Sequence, residues 1–395
     1  MKYDFTTPIN RKQTGSAKWI QMNHWNPSLD NTIYPLSVAD VDMKLAPEII
    51  QGLKDYLDTA ILGYDLPTEK YYDAVIHWMK NQHGWSIKKD WIITIPGVVT
   101  SFYSAIRAFT GHQDGVLVLS PVYYPFYSSI EKTKRTIVKS PLIQKRTRYE
   151  IDFSDLEAKA KDPKNKLLLF SNPHNPVGRV WTKEELTKVV EICKENDVII
   201  LADEIHHDLA MPGHTFIPMA AAAKEAASIC ITATAVSKSF NLAGLKNSNI
   251  IISDDRLRQR FLEDMEMVGL DSGTNVVGLK ATELAYTVGE PWLLEFKELI
   301  WTNHQKLKAF LHQELPEVTV FDLEGTFLQW LDFNAFGLSE KELERIMHEE
   351  ALVFGDEGYI FGSEGNGFER LNLAVPTKIL MESLERLVET MKKYR

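Results

Sequence analysis

Between about residues 91 and 253 the chain alternates short apolar runs with longer stretches whose apolar residues recur at helical spacing. Runs of four or five residues bounded by Gly, Pro, Asn or Asp read as buried strands. They fall at 91–95, 115–119, 136–139, 166–170, 198–202, 228–232 and 249–252. Strands alternating with amphipathic helices predict a mostly parallel sheet wrapped by helices. Residues 1–45 are rich in Asn, Pro and Trp, show no period and read as irregular; a first helix is expected over 47–60. A long helix is expected over 291–311. Short strands at 318–320, 325–332 and 352–354, with flanking helices, make the remainder a smaller α+β unit.

Composition narrows the class. At 395 residues the chain has ample core for one large or two modest domains, and 44% hydrophobic with 25% charged residues is ordinary for a globular protein. A net charge of −10 argues against a general nucleic-acid or anionic-membrane surface. The two cysteines, Cys193 and Cys230, make no disulfide framework and read as buried thiols. The start, Met1-Lys2-Tyr3-Asp4-Phe5-Thr6, lacks the apolar core of a signal peptide, and no stretch of about 18 apolar residues is present. The expected location is the cytoplasm.

The candidate chemistry sits at strand ends. Lys238 follows a run of small residues in Thr232-Ala233-Thr234-Ala235-Val236-Ser237-Lys238-Ser239-Phe240. An amine in an open, partly desolvated place can lose its proton near neutral pH and attack a carbonyl, as a Schiff-base lysine must. Alone, such a lysine is usually a surface group; two other segments change that. Ser171-Asn172-Pro173-His174-Asn175-Pro176-Val177-Gly178 follows a strand and forms a fixed turn that can hold the Asn175 amide at a ligand. Asp203-Glu204-Ile205-His206-His207 ends another strand, where ligands of open α/β sheets bind, and Asp203 there can pair with a cationic ring nitrogen. His207 reads as a neighbour facing away. Tyr123, or its competitor Tyr124, follows the 115–119 strand and offers an aromatic face for offset stacking. Pro96-Gly97-Val98-Val99 opens a helix after the first strand, a place where free backbone N–H groups bind phosphate. Arg370 offers a fork for a carboxylate. Gly362, Gly365 and Gly367 read as a flexible loop beside it.

Together these segments resemble the fold-type I pyridoxal-phosphate enzymes of the class I/II aminotransferase group, over nearly the whole chain. Asp203-Glu204-Ile205-His206, Pro121-Val122-Tyr123 and Val38-Ala39-Asp40-Val41-Asp42 look most like the cystathionine β-lyase (C–S lyase) branch. The resemblance implies an α/β fold: a large cofactor domain over 46–288 with a mostly parallel seven-stranded sheet, and a small α+β domain over 289–395 with which an N-terminal arm, 1–45, packs. It implies pyridoxal 5'-phosphate on Lys238, with Asp203 at the ring nitrogen, Asn175 and His206 at the ring hydroxyl, Tyr123 over the ring and Arg370 with Asn175 on the substrate carboxylate. Val98 and Val99 amides, Ser237 and Lys246 would hold the phosphate. Tyr64 would reach into the site of the neighbouring subunit of a homodimer. Three departures stand out. His206 replaces the usual aminotransferase tyrosine, Ala235 the usual phosphate-binding serine, and Ser37 a tryptophan of the branch. The implied reaction is cleavage of cystathionine or a related S-substituted cysteine to pyruvate, ammonia and a thiol. The alternatives are amino-acid transamination by the same residues and, in another class, a regulatory role through protein contact. No metal, nucleic-acid or membrane partner is expected.

Overall fold

The computed structural model describes residues 2–271 and 273–395. Nine strands precede residue 252: β1 (Ile92–Ile95), β2 (Gly115–Ser120), β3 (Thr136–Pro141), β4 (Ile143–Lys145), β5 (Arg148–Glu150), β6 (Asn165–Ser171), β7 (Ile199–Asp203), β8 (Cys230–Thr234) and β9 (Ser248–Ile251). Seven of them form one sheet in the order β1-β9-β8-β7-β6-β2-β3. All neighbours from β3 to β8 run parallel, and β9 pairs antiparallel with both β8 and β1. The sheet is therefore mixed but mostly parallel, with helices on both faces. Its strands are near-continuous apolar runs because both faces are covered. Along β2 and β6, Leu117, Leu119, Leu168 and Phe170 face one apolar layer. Val116, Val118, Leu167 and Leu169 face the other.

The chain's last third adds β10 (Thr319–Val320), β11 (Leu328–Asp332), β12 (Asp356–Glu357) and β13 (Phe368–Asn372), an antiparallel sheet ordered β10-β11-β13-β12. The long helix Glu290–Glu314 buries Trp292, Phe296, Ile300, Leu307 and Leu311 against it and against the start of the chain. Four helices of the first hundred residues matter for the site: α1 (Ala17–Trp25), α2 (Pro47–Leu57), α3 (Glu69–His83) and α4 (Val98–Phe109). Helix α3 shows how local sequence sets bounds. Thr68 accepts from the Tyr71 N–H at its start, Gly84 takes the left-handed φ of 65° at its end, and Tyr71, Ala74, Val75, Trp78 and Met79 make its buried stripe. Among the described residues no helix is long and apolar enough to cross a membrane. Both cysteines are buried and free.

Four sequence expectations need correction. Residues 1–45 are not irregular throughout: α1 forms because Trp19 and Met22 pack on Leu29, Ile33 and Phe354, a long-range support that local pattern does not carry. Residues 352–354 are not a strand; Leu352 takes a φ of 51°, and pairing begins only at Asp356. The hairpin β4–β5 was not expected. Its strands are short and largely exposed, and its turn uses Arg146 at φ 54° rather than glycine. The 228–232 strand is displaced to Cys230–Thr234, since Lys224–Ser228 is a 3₁₀ turn.

The arm is held by buried charge. Lys18 is fully buried, with its ammonium 2.9 Å from Asp40 Oδ1 and 3.0 Å from Asp42 Oδ2, while Arg11 reaches both carboxylates at 2.9 Å. Removing one partner of a buried pair leaves a bare charge in low dielectric. Lys18→Met should therefore lower stability by about 3 kcal/mol, read as an earlier midpoint in guanidinium unfolding. Lys44→Met, at an exposed position of the same segment, is the control and should leave the midpoint in place.

Candidate active site

The carboxyl ends of β1, β2, β6, β7 and β8 open on one edge of the large sheet. Strand β9 runs the other way, so its start, two residues after Lys246, lies on that edge too. A cavity of about 440 Å³ occupies this edge. Val98, Val99, Tyr123, Asn175, Asp203, His206, Ser237, Lys238, Lys246 and Arg370 all line it. Strand order lays them out in sequence. The groups after β1, before β9 and after β8 form one end, Asp203 after β7 the middle, and Asn175 and Tyr123 after β6 and β2 the far side.

The first end is an anion cradle. Gly97, at φ 85°, turns the chain from β1 into α4, and the first N–H groups of a helix have no acceptor within it. Val98, Val99 and Thr100 present that terminus to the cavity, while the Thr100 hydroxyl is used locally on Pro96 O at 2.8 Å. Ser237 and the exposed Lys246 stand opposite. Lys246 is paired with no carboxylate among the described residues. Ala235 is buried and does not line the cavity, so the usual serine hydroxyl has no replacement at that position.

In the middle sits Asp203. It is buried, its Oδ1 accepts only from the Ile205 N–H at 3.2 Å, and burial pushes its carboxyl up to about 7 despite Lys238. A carboxylate held there without a full cationic partner suits a protonated ring nitrogen. The neighbouring His206 is buried with Nδ1 unpartnered, and burial, then the Lys238 and Arg370 charges, keep it neutral. His207 points away and donates through Nδ1 to Glu204 O at 2.7 Å. Tyr123 is largely buried at the cavity wall, and its hydroxyl pKa is raised by that burial.

Lys238 Nζ donates to Ala39 O at 2.7 Å. Burial first, and Arg370 second, lower its pKa to about 8. Its loop is fixed on both sides: Ser239 Oγ donates to Asp208 Oδ2 at 2.6 Å, and Asn241 exchanges hydrogen bonds with the Val41 backbone.

At the far side Arg370 donates to Asn175 Oδ1 at 2.7 Å and to Asp356 Oδ2 at 2.6 Å, with its guanidinium 4.6 Å from the Phe361 ring centroid. Arginine has no acceptor, so the Asn175 oxygen must face it and the amide hydrogens are left for a ligand. The turn carrying Asn175 is rigid. His174 and Arg179 exchange a bridge, Gly178 takes φ 72°, and the buried Arg179 is held by Glu185 and Glu324. The glycine segment beside Arg370 is close-packed rather than loose, which corrects the expected flexible loop. Gly365 and Gly358 stack so closely that neither has room for a Cβ, and Phe361 O accepts from Val122 N and Tyr127 Oη.

Two groups at the site went unpredicted. Val38 and Ala39 of the arm line the cavity, Val38 at a φ of 54° that is costly for a β-branched residue. Asp356 lines it too and accepts from Val38 N at 3.1 Å as well as from Arg370. Only the arm motif Val38-Ala39-Asp40 carried any signal, and it gave no role. Ser37 lies outside this cavity, in an adjoining one. Tyr64 is wholly exposed and does not line its own chain's cavity, which rules out a core tyrosine.

An anion cradle, a buried carboxylate, a depressed lysine and a carboxylate fork lie in line. They fit a planar ring bearing phosphate and a protonatable nitrogen, together with an amino-acid carboxylate. Comparison with known proteins agrees. Residues 34–389 match the family described as aminotransferase class I and II. Cystathionine beta-lyase PatB of Bacillus subtilis (strain 168) is 41% identical over 384 residues, 97% of this chain and 98% of that protein. Protein MalY of Escherichia coli (strain K12) is 28% identical over the whole of both chains. Cystalysin from Treponema denticola, solved with pyridoxal 5'-phosphate, superposes with a TM-score of 0.97 at 45% identity over all of both chains. A PLP-bound C-S lyase from Staphylococcus hominis gives 0.91 at 31% identity, covering 99% of this chain and 98% of that one.

The raised Asp203 pKa carries a stability consequence. Its folded value lies above its unfolded one, so folding favours the protonated acid, and the cost of ionising it grows as pH climbs from about 4 towards 7. In cofactor-free protein Asp203→Asn should be more stable than wild type by roughly 4 kcal/mol at pH 8. The gap should close near pH 4, as measured by thermal melts across that range. A gap that does not change with pH would mean that the Asp203 carboxyl has the same pKa folded and unfolded, so that burial does not raise it.

Proposed function

The chain belongs to the aminotransferase class I and II family, and we propose that within it the protein is a pyridoxal-phosphate-dependent C–S lyase, cleaving cystathionine or a related S-substituted cysteine. The observation that carries this reading is the buried Lys238 amine, its pKa lowered to about 8, facing Asp203 and Arg370 in one cavity. The full-length likeness to enzymes named cystathionine beta-lyase and C-S lyase favours elimination over transamination.

Bound through Lys238, the cofactor supplies an electron sink for the pair left at Cα when its proton is removed. Asp203 would keep the ring nitrogen protonated, the Val98 and Val99 amides, Ser237 and Lys246 would hold the phosphate, Tyr123 would cover the ring, and neutral His206 would serve the ring hydroxyl. Arg370 and the Asn175 amide hold the substrate carboxylate, which orients the Cα–H bond towards the Lys238 amine. The substrate's amino group would take the place of Lys238 on the cofactor, and the freed Lys238 amine, poised near neutrality, would take that proton. The bond from Cβ to sulfur then breaks and the thiolate leaves. Overall the S-substituted cysteine and one water give pyruvate, ammonia and the thiol. Transamination would use the same residues but needs a keto acid to complete each cycle.

In this reading residues 46–288 form the cofactor domain, and 289–395 with the arm, 1–45, form the small one. The working unit is a cytoplasmic homodimer in which Tyr64 completes the partner's site. Leu57, Ile61, Leu62, Tyr64 and Leu66 are all exposed over ten residues of chain, an apolar face that a second copy would cover.

With cystathionine alone, pyruvate, ammonia and homocysteine should accumulate over many turnovers. Product that stops at one equivalent and resumes only when a keto acid is added would make the protein an aminotransferase. Subunit exchange between Lys238→Ala and Tyr64→Ala proteins, each inactive, should restore about a quarter of full activity, because half the dimers are mixed and each has one intact site. No rescue, with exchange verified, would place the working Tyr64 in its own chain or outside the site.

A further inference from the structure

A second cavity, of about 650 Å³, adjoins the first and shares Val38, Tyr124 and Asp356 with it. It lies at the edge of the small sheet, beyond β12. Four carboxylates line it, Glu131, Glu344, Asp356 and Glu357, and no lysine or arginine does. Asp356 is committed to Arg370 at 2.6 Å and Glu344 to Lys341 at 2.5 Å. Glu357 has no such cation. Its nearest basic group is His348 Nε2 at 3.4 Å, and burial lowers that imidazole to about 4, so it is neutral. His348 is 3% exposed and its Nδ1 has no partner. Directly opposite Glu357 in the β12–β13 register stands Glu369, buried, with Oε2 unpartnered. Burial, then Glu344 and Asp356, raise the Glu357 carboxyl to about 7. Trp25, half exposed and tilted over His348 at 4.7 Å, and Tyr124 add aromatic faces to the same cavity.

A wall that combines unpaired carboxylate with aromatic rings is complementary to a positive nitrogen. An amino acid held by Arg370 lies close to this wall, because Asp356, its partner, lines both cavities together with Val38 and Tyr124. We propose that this adjoining cavity receives the S-substituent of the substrate, and that Glu357, with the faces of Trp25 and Tyr124, selects substituents that end in an ammonium group. The proposal rests on the C–S lyase reading above and specifies its substrate class. A thioether whose departing half carries an amine is favoured, a neutral alkyl group is tolerated, and a departing half that ends in a carboxylate alone is disfavoured.

The test compares three S-substituted cysteines of similar length with the holoenzyme, by pyruvate release: S-(2-aminoethyl)-cysteine, S-propylcysteine and S-carboxymethylcysteine. The expected kcat/KM order is cationic, neutral, anionic, with about tenfold or more between the first two, carried mainly by KM. In Glu357→Gln the cationic-to-neutral ratio should fall close to one, and Trp25→Leu should lower the same ratio by a smaller factor. Equal rates for the three compounds, or the reverse order, would overturn the proposal in wild-type protein without recourse to any variant. A ratio unchanged in Glu357→Gln would overturn the role of that residue. Failure to release pyruvate from S-propylcysteine and from both charged compounds would instead overturn the lyase reading, and the subsite with it.

Discussion

Arg370 ties the molecule together. Its guanidinium bridges the turn after β6, through Asn175, and the edge strand β12, through Asp356. Asp356 in turn accepts from the Val38 N–H of the arm. Phe361 stacks under the guanidinium while its carbonyl accepts from Val122 in the loop after β2 and from Tyr127 in the helix that follows. One buried cation thus joins the large sheet, the small sheet and the arm. Such a group is expensive to bury unless every donor is used, and the Arg370 Nε remains unpartnered within the protein. A substrate carboxylate would therefore dock on a fork whose position is already set by two protein oxygens.

The rest of the site is governed by desolvation. Asp203 and Lys238 are moved in opposite directions by the same cause, the acid up to about 7 and the amine down to about 8. Both neutral forms come within reach of physiological pH, and each group is poised to gain a partner that restores its charge. The same physics acts at the adjoining cavity, whose wall holds Glu357 and no lysine or arginine, with Glu369 buried opposite Glu357 on the next strand. Burial without compensation marks both places as receptive to something from outside the chain.

Much of the large sheet was legible in the sequence because fully buried parallel strands are continuous apolar runs, and chemistry-bearing residues such as Asn175, Asp203 and Lys238 follow directly on their ends. The placement of Lys246 was less so. It reaches the cradle because β9 runs antiparallel, and strand direction leaves no mark in a four-residue run. Helix α1 depends on Phe354, far along the chain, and the hairpin β4–β5 has neither an apolar stripe nor a glycine turn. Asp356 escaped because a short edge strand, displaced by the left-handed Leu352, offers no period. Ala39 acts through a backbone carbonyl, which any side chain would provide.

The two ends of the chain meet at Lys238. Asn372, on the last strand, donates to the carbonyls of Val38 and Asp40 at 2.8 and 2.7 Å, and the next residue, Ala39, accepts from Lys238. During synthesis the arm leaves the ribosome long before β13 exists. At some 5–20 residues per second it waits roughly 20–70 s for its partner. Over that interval Trp19 and the buried Lys18 have no finished cavity to enter. A truncated or stalled chain would therefore expose the arm to proteases and chaperones, and only a completed chain can close it over the lysine.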